Sequence, residues 1–134
     1  MAKSKSNAAA AKNKGQSIKK RDDVFLQALP FVRDTREETF REDKGMHWWH
    51  VSNTNYWHQD LSIGEAFCDK AAALHNIDAV LVREALGAAL GAMVNKGYCG
   101  GIEQGFVNRL VHYASIGMAA SGAKLTGPLM SATV

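Results

Sequence analysis

The chain has 134 residues, 46% of them hydrophobic and 22% charged, and a formal net charge of +3. This balance is typical of one soluble globular domain and excludes a chain that is disordered throughout. The longest apolar run, residues 85–94, is far shorter than the ~20 residues of a membrane-spanning helix. The first 21 residues also lack the apolar core of a secretory signal. We therefore predict a cytoplasmic protein that makes no membrane contact.

Charge is unevenly distributed along the chain. Residues 1–21 contain seven cations and no acid, so subtracting seven from +3 leaves −4 on the remaining residues. The segment is poor in large apolar side chains, which predicts a flexible, disordered basic arm. A basic arm on an acidic body is typical of proteins that bind nucleic acid or another acidic surface, such as that of a protein partner. The predicted contact residues are Lys3, Lys5, Lys12, Lys14, Lys19, Lys20 and Arg21.

Residues 22–121 are predicted to form a mainly α domain, a small bundle of four to five helices. An apolar cluster that follows Asp23 predicts a short first helix, which Pro30 breaks. The next segment is highly charged and places Glu37 four residues before Arg41, a spacing that stabilises helices. It therefore predicts an exposed second helix ending near a glycine at position 45.

The third predicted helix follows an aromatic stretch. Ser62 and Glu65 have the spacing of a capping box, and apolar residues then recur at helical intervals. This helix is predicted to start at Asp60 or Ser62 and to end near His75.

Two more helices are predicted towards the end of the chain. The segment DAVLVREALGAALGAMVNK has Asp78 as its N-cap and ends before Gly97. Apolar residues cover most of its sides, which predicts the central buried helix of the bundle. The last helix is predicted to start near Ile102, and residues 122–134 are predicted to form a flexible tail.

Glycine pairs four residues apart mark both of these last helices. Each glycine costs ~1 kcal/mol of helix stability, so a compensating close contact is expected. We predict that Gly87 and Gly91, and likewise Gly101 and Gly105, pack tightly against another helix of the same chain. Self-association of the chain into a homo-oligomer is the alternative.

The stretch HWWHVSNTNYWH, residues 47–58, concentrates the large aromatic side chains. We predict that it anchors the core and leaves one face exposed to a ligand or partner. Its aromatic rings also suit the stacking of nucleic-acid bases. It is predicted to be a loop, or a short hairpin turning between Ser52 and Asn55. The predicted partner or ligand face comprises Trp48, Trp49, Tyr56 and Trp57.

The same stretch offers a metal site as an alternative. His47, His50 and His58 would surround a zinc ion if the segment folded back on itself. The chain lacks the closely spaced cysteine pairs of structural zinc sites, and Cys68 and Cys99 are predicted to be free thiols. We therefore expect no cofactor, with zinc at the three histidines as the alternative.

No pairing of nucleophile and base stands out in the sequence. Cys68 and His75, for example, lie two helical turns apart, which is too far for direct proton transfer. No catalytic residue is predicted.

These features predict a small, non-enzymatic binding protein. Its basic arm would contact nucleic acid or another acidic partner, and its helical body would give specificity. The alternatives are a metal-binding protein built on the three histidines and a helical subunit or inhibitor that docks onto another protein. A phage or plasmid origin is compatible with so small a chain with a basic arm.

Overall fold

A computed structural model of the chain describes residues 25–126. Within this range residues 25–27 form a short helical segment, and three long helices follow later in the chain. These helices confirm the prediction of a mainly α protein built as a small helical bundle. The predicted basic arm, residues 1–21, and residues 127–134 of the predicted tail lie outside the described range. In chain order, the remaining elements are β1 (Arg33–Asp34), β2 (Met46–His47), α1 (Trp57–His75), α2 (Ala79–Lys96) and α3 (Gly101–Ser121).

Helices α1 and α3 lie side by side and run in the same direction. Glu65 accepts a hydrogen bond from Arg109 (3.1 Å), and one turn further Asp69 accepts one from the hydroxyl of Tyr113 (2.6 Å). Both contacts join residues 44 positions apart, which requires parallel helices. Helix α2 connects the end of α1 to the start of α3 and therefore runs back antiparallel to both.

Glycine lets α1 and α3 touch through their backbones. A Cβ added at Gly64 would overlap the carbonyl oxygen of Ile102 and lie 2.6 Å from the backbone nitrogen of Phe106. A Cβ added at Gly105 would overlap the carbonyl oxygen of Leu61. Only a residue without a Cβ permits so close an approach.

The two predicted glycine pairs differ in their surroundings. Gly101 packs on α1, where a Cβ would fall 2.7 Å from that of Asp60, and Gly105 is equally enclosed. At Gly87 and Gly91 an added Cβ would meet nothing within 4 Å. Among the described residues, the prediction of close packing is therefore confirmed for the α3 pair and wrong for the α2 pair.

Helix α1 is the central helix, because it packs against both α2 and α3. The prediction that α2 would be central is wrong: its Val80 and Val94 are exposed. Its predicted ends are correct. The Asp78 side chain accepts a hydrogen bond from the backbone N–H of Leu81 (3.1 Å), and Gly97 ends the helix at a φ of 67°. The face of α2 that packs inward consists of Val82, Ala85, Ala89 and Met93.

Helix α1 begins earlier than the capping pattern predicts. It starts at Trp57, and Ser62 lies within it, where its hydroxyl donates a hydrogen bond to the carbonyl of His58 (3.2 Å). Its end at His75 agrees with the prediction, as does the start of α3 within one residue of Ile102.

The charged segment before Gly45 does not form the predicted second helix. Strands β1 and β2 pair antiparallel, and the loop between them is closed by Thr35, whose side chain is completely buried. The Thr35 hydroxyl accepts a hydrogen bond from the Gly45 N–H (3.1 Å) and bonds the ring of His47 (2.9 Å). The three shortest ion pairs of this segment join residues two or five positions apart, which are not the spacings of neighbours on a helix. These ion pairs are Arg36–Asp34 (2.7 Å), Arg33–Glu38 (2.7 Å) and Arg41–Asp43 (2.6 Å).

The core is centred on three aromatic rings. Trp49 packs on Phe31 with ring centroids 5.2 Å apart and on Phe106 at 4.9 Å, while Phe31 and Phe106 are 5.2 Å apart. Rings at these distances and tilts attract one another beyond the area that they bury. The cluster joins the segment before α1 to the first turns of α3.

The glycine contacts predict opposite effects of the same substitution on two helices. We expect Gly105→Ala to lower the free energy of unfolding by about 1–3 kcal/mol or more, because its Cβ would push α1 and α3 apart. Gly91→Ala is the matched control. It should raise stability by about 0.5–1 kcal/mol, since alanine favours the helix and the added Cβ meets open space. Urea unfolding of both variants measures this, and equal effects would contradict the packing described.

Candidate functional site

The aromatic stretch crosses the end of the bundle at which α1 and α3 begin. Residues 51–54 are irregular, so the alternative of a hairpin at this point is not realised. Trp49 is only 2% exposed and is a core residue, whereas Trp48 is half-buried against the core. The stretch therefore anchors the core through one tryptophan and leaves its other rings nearer the surface.

Glu103, a buried residue in the first turn of α3, ties this stretch to the bundle. Its Oε2 accepts a hydrogen bond from the indole N–H of Trp49 (3.2 Å). Its Oε1 accepts one from the side-chain amide of Asn53 (2.8 Å) and one from the backbone N–H of Gly100 (3.0 Å). A carboxylate offers acceptors only, so it satisfies all three donors at once.

Asn53 also acts as a cap for α3 from a distance in sequence. The residue at the N-cap position, Gly100, has no side chain, and Asn53 Oδ1 instead accepts the backbone N–H of Ile102 (2.8 Å). A Cβ at Gly100 would lie 2.7 Å from that oxygen. The glycine therefore makes room for a capping residue that comes from the loop.

Asp60, in the first turn of α1, binds the segment that leads into this helix. It is 2% exposed, and its Oδ1 accepts hydrogen bonds from the backbone N–H (3.1 Å) and the hydroxyl (2.8 Å) of Thr54. The Thr54 hydroxyl in turn accepts the backbone N–H of Tyr56 (3.1 Å). A negative group in the first turn also interacts favourably with the helix dipole. Hydrogen bonds from Thr54 to Asp60 and from Tyr56 to Thr54 thus fix the conformation of the segment that leads into α1.

Three exposed aromatic side chains share this end of the bundle. Tyr56 is 70% exposed, Trp57 is 51% exposed and Tyr98, in the turn before α3, is 43% exposed. Lys96 places its ammonium 5.8 Å from the centre of the Tyr98 ring. We call Tyr56, Trp57 and Tyr98 the aromatic end. Sequence analysis identified the first two and missed Tyr98, although an aromatic residue in a glycine-rich turn between two helices is a usable signal.

The histidines of the stretch do not gather around one point. His47 and His50 have ring centroids 6.0 Å apart, but His47 is engaged with Thr35, and the guanidinium of Arg33 lies 3.3 Å from the His50 ring. Burial, followed by the positive charge of Arg33, lowers the pKa of His50. His58 is exposed on α1. Across residues 25–126, no three His, Cys, Asp or Glu side chains are grouped so that they could hold a metal ion.

The two cysteines are free thiols in very different surroundings. Cys68 is buried, and this burial raises its pKa to about 11, which keeps it protonated and a poor nucleophile. It lies at the floor of a cleft of about 440 Å³ that opens between the end of α1, Leu86 of α2 and Tyr113 of α3. Cys99 is exposed in the turn before α3.

The folded body holds much of its positive charge in ion pairs. Arg33, Arg36 and Arg41 pair within the charged loop, and Arg109 pairs with Glu65 across α1 and α3. The guanidinium of Arg36 lowers the pKa of the Asp34 carboxyl to about 2. The seven cations predicted to bind an acidic partner all precede the described range.

No protein-family model, curated protein or solved structure matches this chain. No helix in the part of the chain that the structure covers is long and apolar enough to cross a membrane.

The hydrogen bonds of Glu103 predict a strong effect of a nearly isosteric change. In Glu103→Gln the side chain keeps one acceptor oxygen and gains an amide that faces other donors. We expect a loss of about 1–3 kcal/mol in the free energy of unfolding, because a buried donor is left without its acceptor. Thermal and urea unfolding measure this loss. Glu84→Gln, at an exposed position on α2, is the matched control, and a loss of the same size in that variant would contradict the role given to Glu103.

Proposed function

We propose that this protein binds nucleic acid. The basic arm, residues 1–21, supplies electrostatic attraction to phosphates, and the aromatic end supplies contacts to bases. The observation that carries the proposal is the segregation of charge, +7 on the arm against −4 on the rest of the chain. Neutralising phosphate charge releases counterions, which is the main source of affinity for arms of this kind.

The ion pairs of the folded body support the assignment of the phosphate contacts to the arm. Four of its arginines already hold carboxylates, three in the charged loop and one across α1 and α3. The positive charge of a paired guanidinium is largely offset by its carboxylate partner. The arm, with seven cations and no acid, therefore contributes most of the attraction to an anionic polymer.

The aromatic end supports the second half of the proposal. Tyr56 and Trp57 follow a segment that Asn53, Thr54 and Asp60 hold by hydrogen bonds to both α1 and α3. Rings held in place lose little conformational freedom on binding. Stacking of a base on such a ring contributes ~1–3 kcal/mol and tolerates any base. This surface favours single-stranded nucleic acid over a duplex, whose bases are already stacked.

The charge on the arm predicts a steep dependence of binding on salt. We expect log K for a single strand to fall with log salt concentration with a slope of up to about 5 if all seven cations contact phosphates. Fluorescence anisotropy with a labelled single strand of about 20 nucleotides, longer than one binding site of ~4–16 nucleotides, measures the slope. The key variant is the full-length chain with all seven arm cations replaced by Gln.

That variant should lose most of its affinity and most of the slope while its thermal stability stays unchanged. Binding that is as tight and as salt-dependent as in the unmodified chain would disprove the role of the arm. Binding to an acidic peptide but not to DNA or RNA would disprove nucleic acid as the partner.

The aromatic end predicts a separate effect that does not depend on salt. Tyr56→Ala should weaken single-strand binding by about 1–3 kcal/mol and leave the salt slope unchanged. Phe40→Ala is the matched control, because Phe40 is a fully exposed aromatic residue of the charged loop and is not part of the aromatic end. Equal losses in the two variants, or none in Tyr56→Ala, would rule out base stacking at this end.

A further inference from the structure

Basic side chains from three parts of the fold surround His50, next to the aromatic end. Arg33 of β1 places a guanidinium nitrogen 3.3 Å from Nε2 of His50, and the ring centroid of His47 in β2 lies 6.0 Å from that of His50. Lys96, at the end of α2, is close enough for its charge to act on His50. The ammonium nitrogen of Lys96 also lies 5.8 Å from the ring centre of Tyr98. The cluster therefore adjoins one of the three exposed rings.

The contact with Arg33 determines which nitrogen of the His50 ring carries the hydrogen. Partial burial, followed by the positive charges around it, lowers the pKa of His50, so the ring is neutral at neutral pH. A guanidinium only donates hydrogen bonds, so Nε2 of His50 is the acceptor and Nδ1 carries the hydrogen. Within residues 25–126, no group accepts this Nδ1–H. Because His50 is exposed, its ring is accessible to a ligand that offers an acceptor.

The positive charge of Lys96 is not offset by a carboxylate. In the described part of the chain, no Asp or Glu forms an ion pair with its ammonium group. The two guanidiniums near it are paired: Glu38 bonds both Arg33 and Arg41, and Asp43 also bonds Arg41. Three cations and two carboxylates, with the histidines counted as neutral, leave one positive charge in excess.

We propose that Lys96, His50 and Arg33 form a phosphate site. The site holds one phosphate of a bound single strand, while a base of that strand stacks on Tyr98. This role of the site rests on the nucleic-acid binding proposed above and adds a phosphate contact on the folded body. Lysine and arginine side chains and N–H donors are the usual partners of phosphate oxygens. Because the base and the phosphate of a nucleotide are covalently joined, a ring and a cation side by side can bind both.

One contact of this kind positions the strand more than it adds to affinity. Contacts to phosphates set the register and orientation of a nucleic acid on a protein. One neutralised phosphate of a single strand contributes about 0.7 to the salt slope, whereas all seven cations of the arm contribute up to about 5. The arm therefore attracts the strand, and the phosphate site directs it across the aromatic end.

Pyrophosphate, which carries no base, tests the phosphate site without nucleic acid. In the full chain, nitrogen NMR of the His50 ring should show the hydrogen on Nδ1, and millimolar pyrophosphate should shift the ring signals saturably. Lys96→Gln should weaken this binding about two- to fivefold, the range expected for an exposed pair of charges. Lys70→Gln is the matched control and should have no effect. Lys70 is an exposed lysine on α1, 13 residues after Trp57 and so about 20 Å further along the helix.

A labelled single strand of the kind described above separates this site from the proposed function. Lys96→Gln should lower the affinity for the strand about two- to fivefold and the salt slope by about 0.7, whereas Lys70→Gln should change neither. An unchanged affinity and slope in Lys96→Gln, or His50 signals that do not move with pyrophosphate, would overturn the phosphate site and leave the role of the arm intact. Pyrophosphate binding at His50 without any binding of the strand would instead overturn nucleic acid as the source of the phosphate.

Discussion

The backbone contact between α1 and α3 is the constraint on which the rest of the structure depends. Gly64 and Gly105 bring the two helices together in parallel, so both helices begin at the same end of the bundle. The first turn of any helix leaves backbone N–H groups without partners, together with a partial positive charge. Two such turns side by side create a concentrated demand for acceptors at one end of the molecule.

The aromatic stretch supplies one of those acceptors and also bonds to both helices. Asn53 accepts the Ile102 N–H of α3, whereas Thr54 donates to Asp60 of α1 and Trp49 donates to Glu103 of α3. Among the described residues, no buried side-chain nitrogen or oxygen is left without a hydrogen-bond partner. The hydrogen bonds of the stretch thus serve first to stabilise the fold. They also fix the positions of Tyr56 and Trp57, the exposed rings that follow, and the proposed base stacking requires such fixed rings.

Local signals in the sequence placed some elements correctly, and contacts with distant residues overrode others. Asp78 and Gly97 bound α2 through contacts within a few residues, so the sequence was sufficient to place that helix. The conformation of the charged segment instead depends on Thr35, whose side-chain partners lie eight to twelve residues away and outweigh a favourable i, i+4 charge spacing. The capping of α3 by Asn53 joins residues 49 positions apart, and no local pattern predicts it. Glycine spacing shows that two residues share a face of a helix, but only the fold shows whether that face meets another helix, as on α3, or solvent, as on α2.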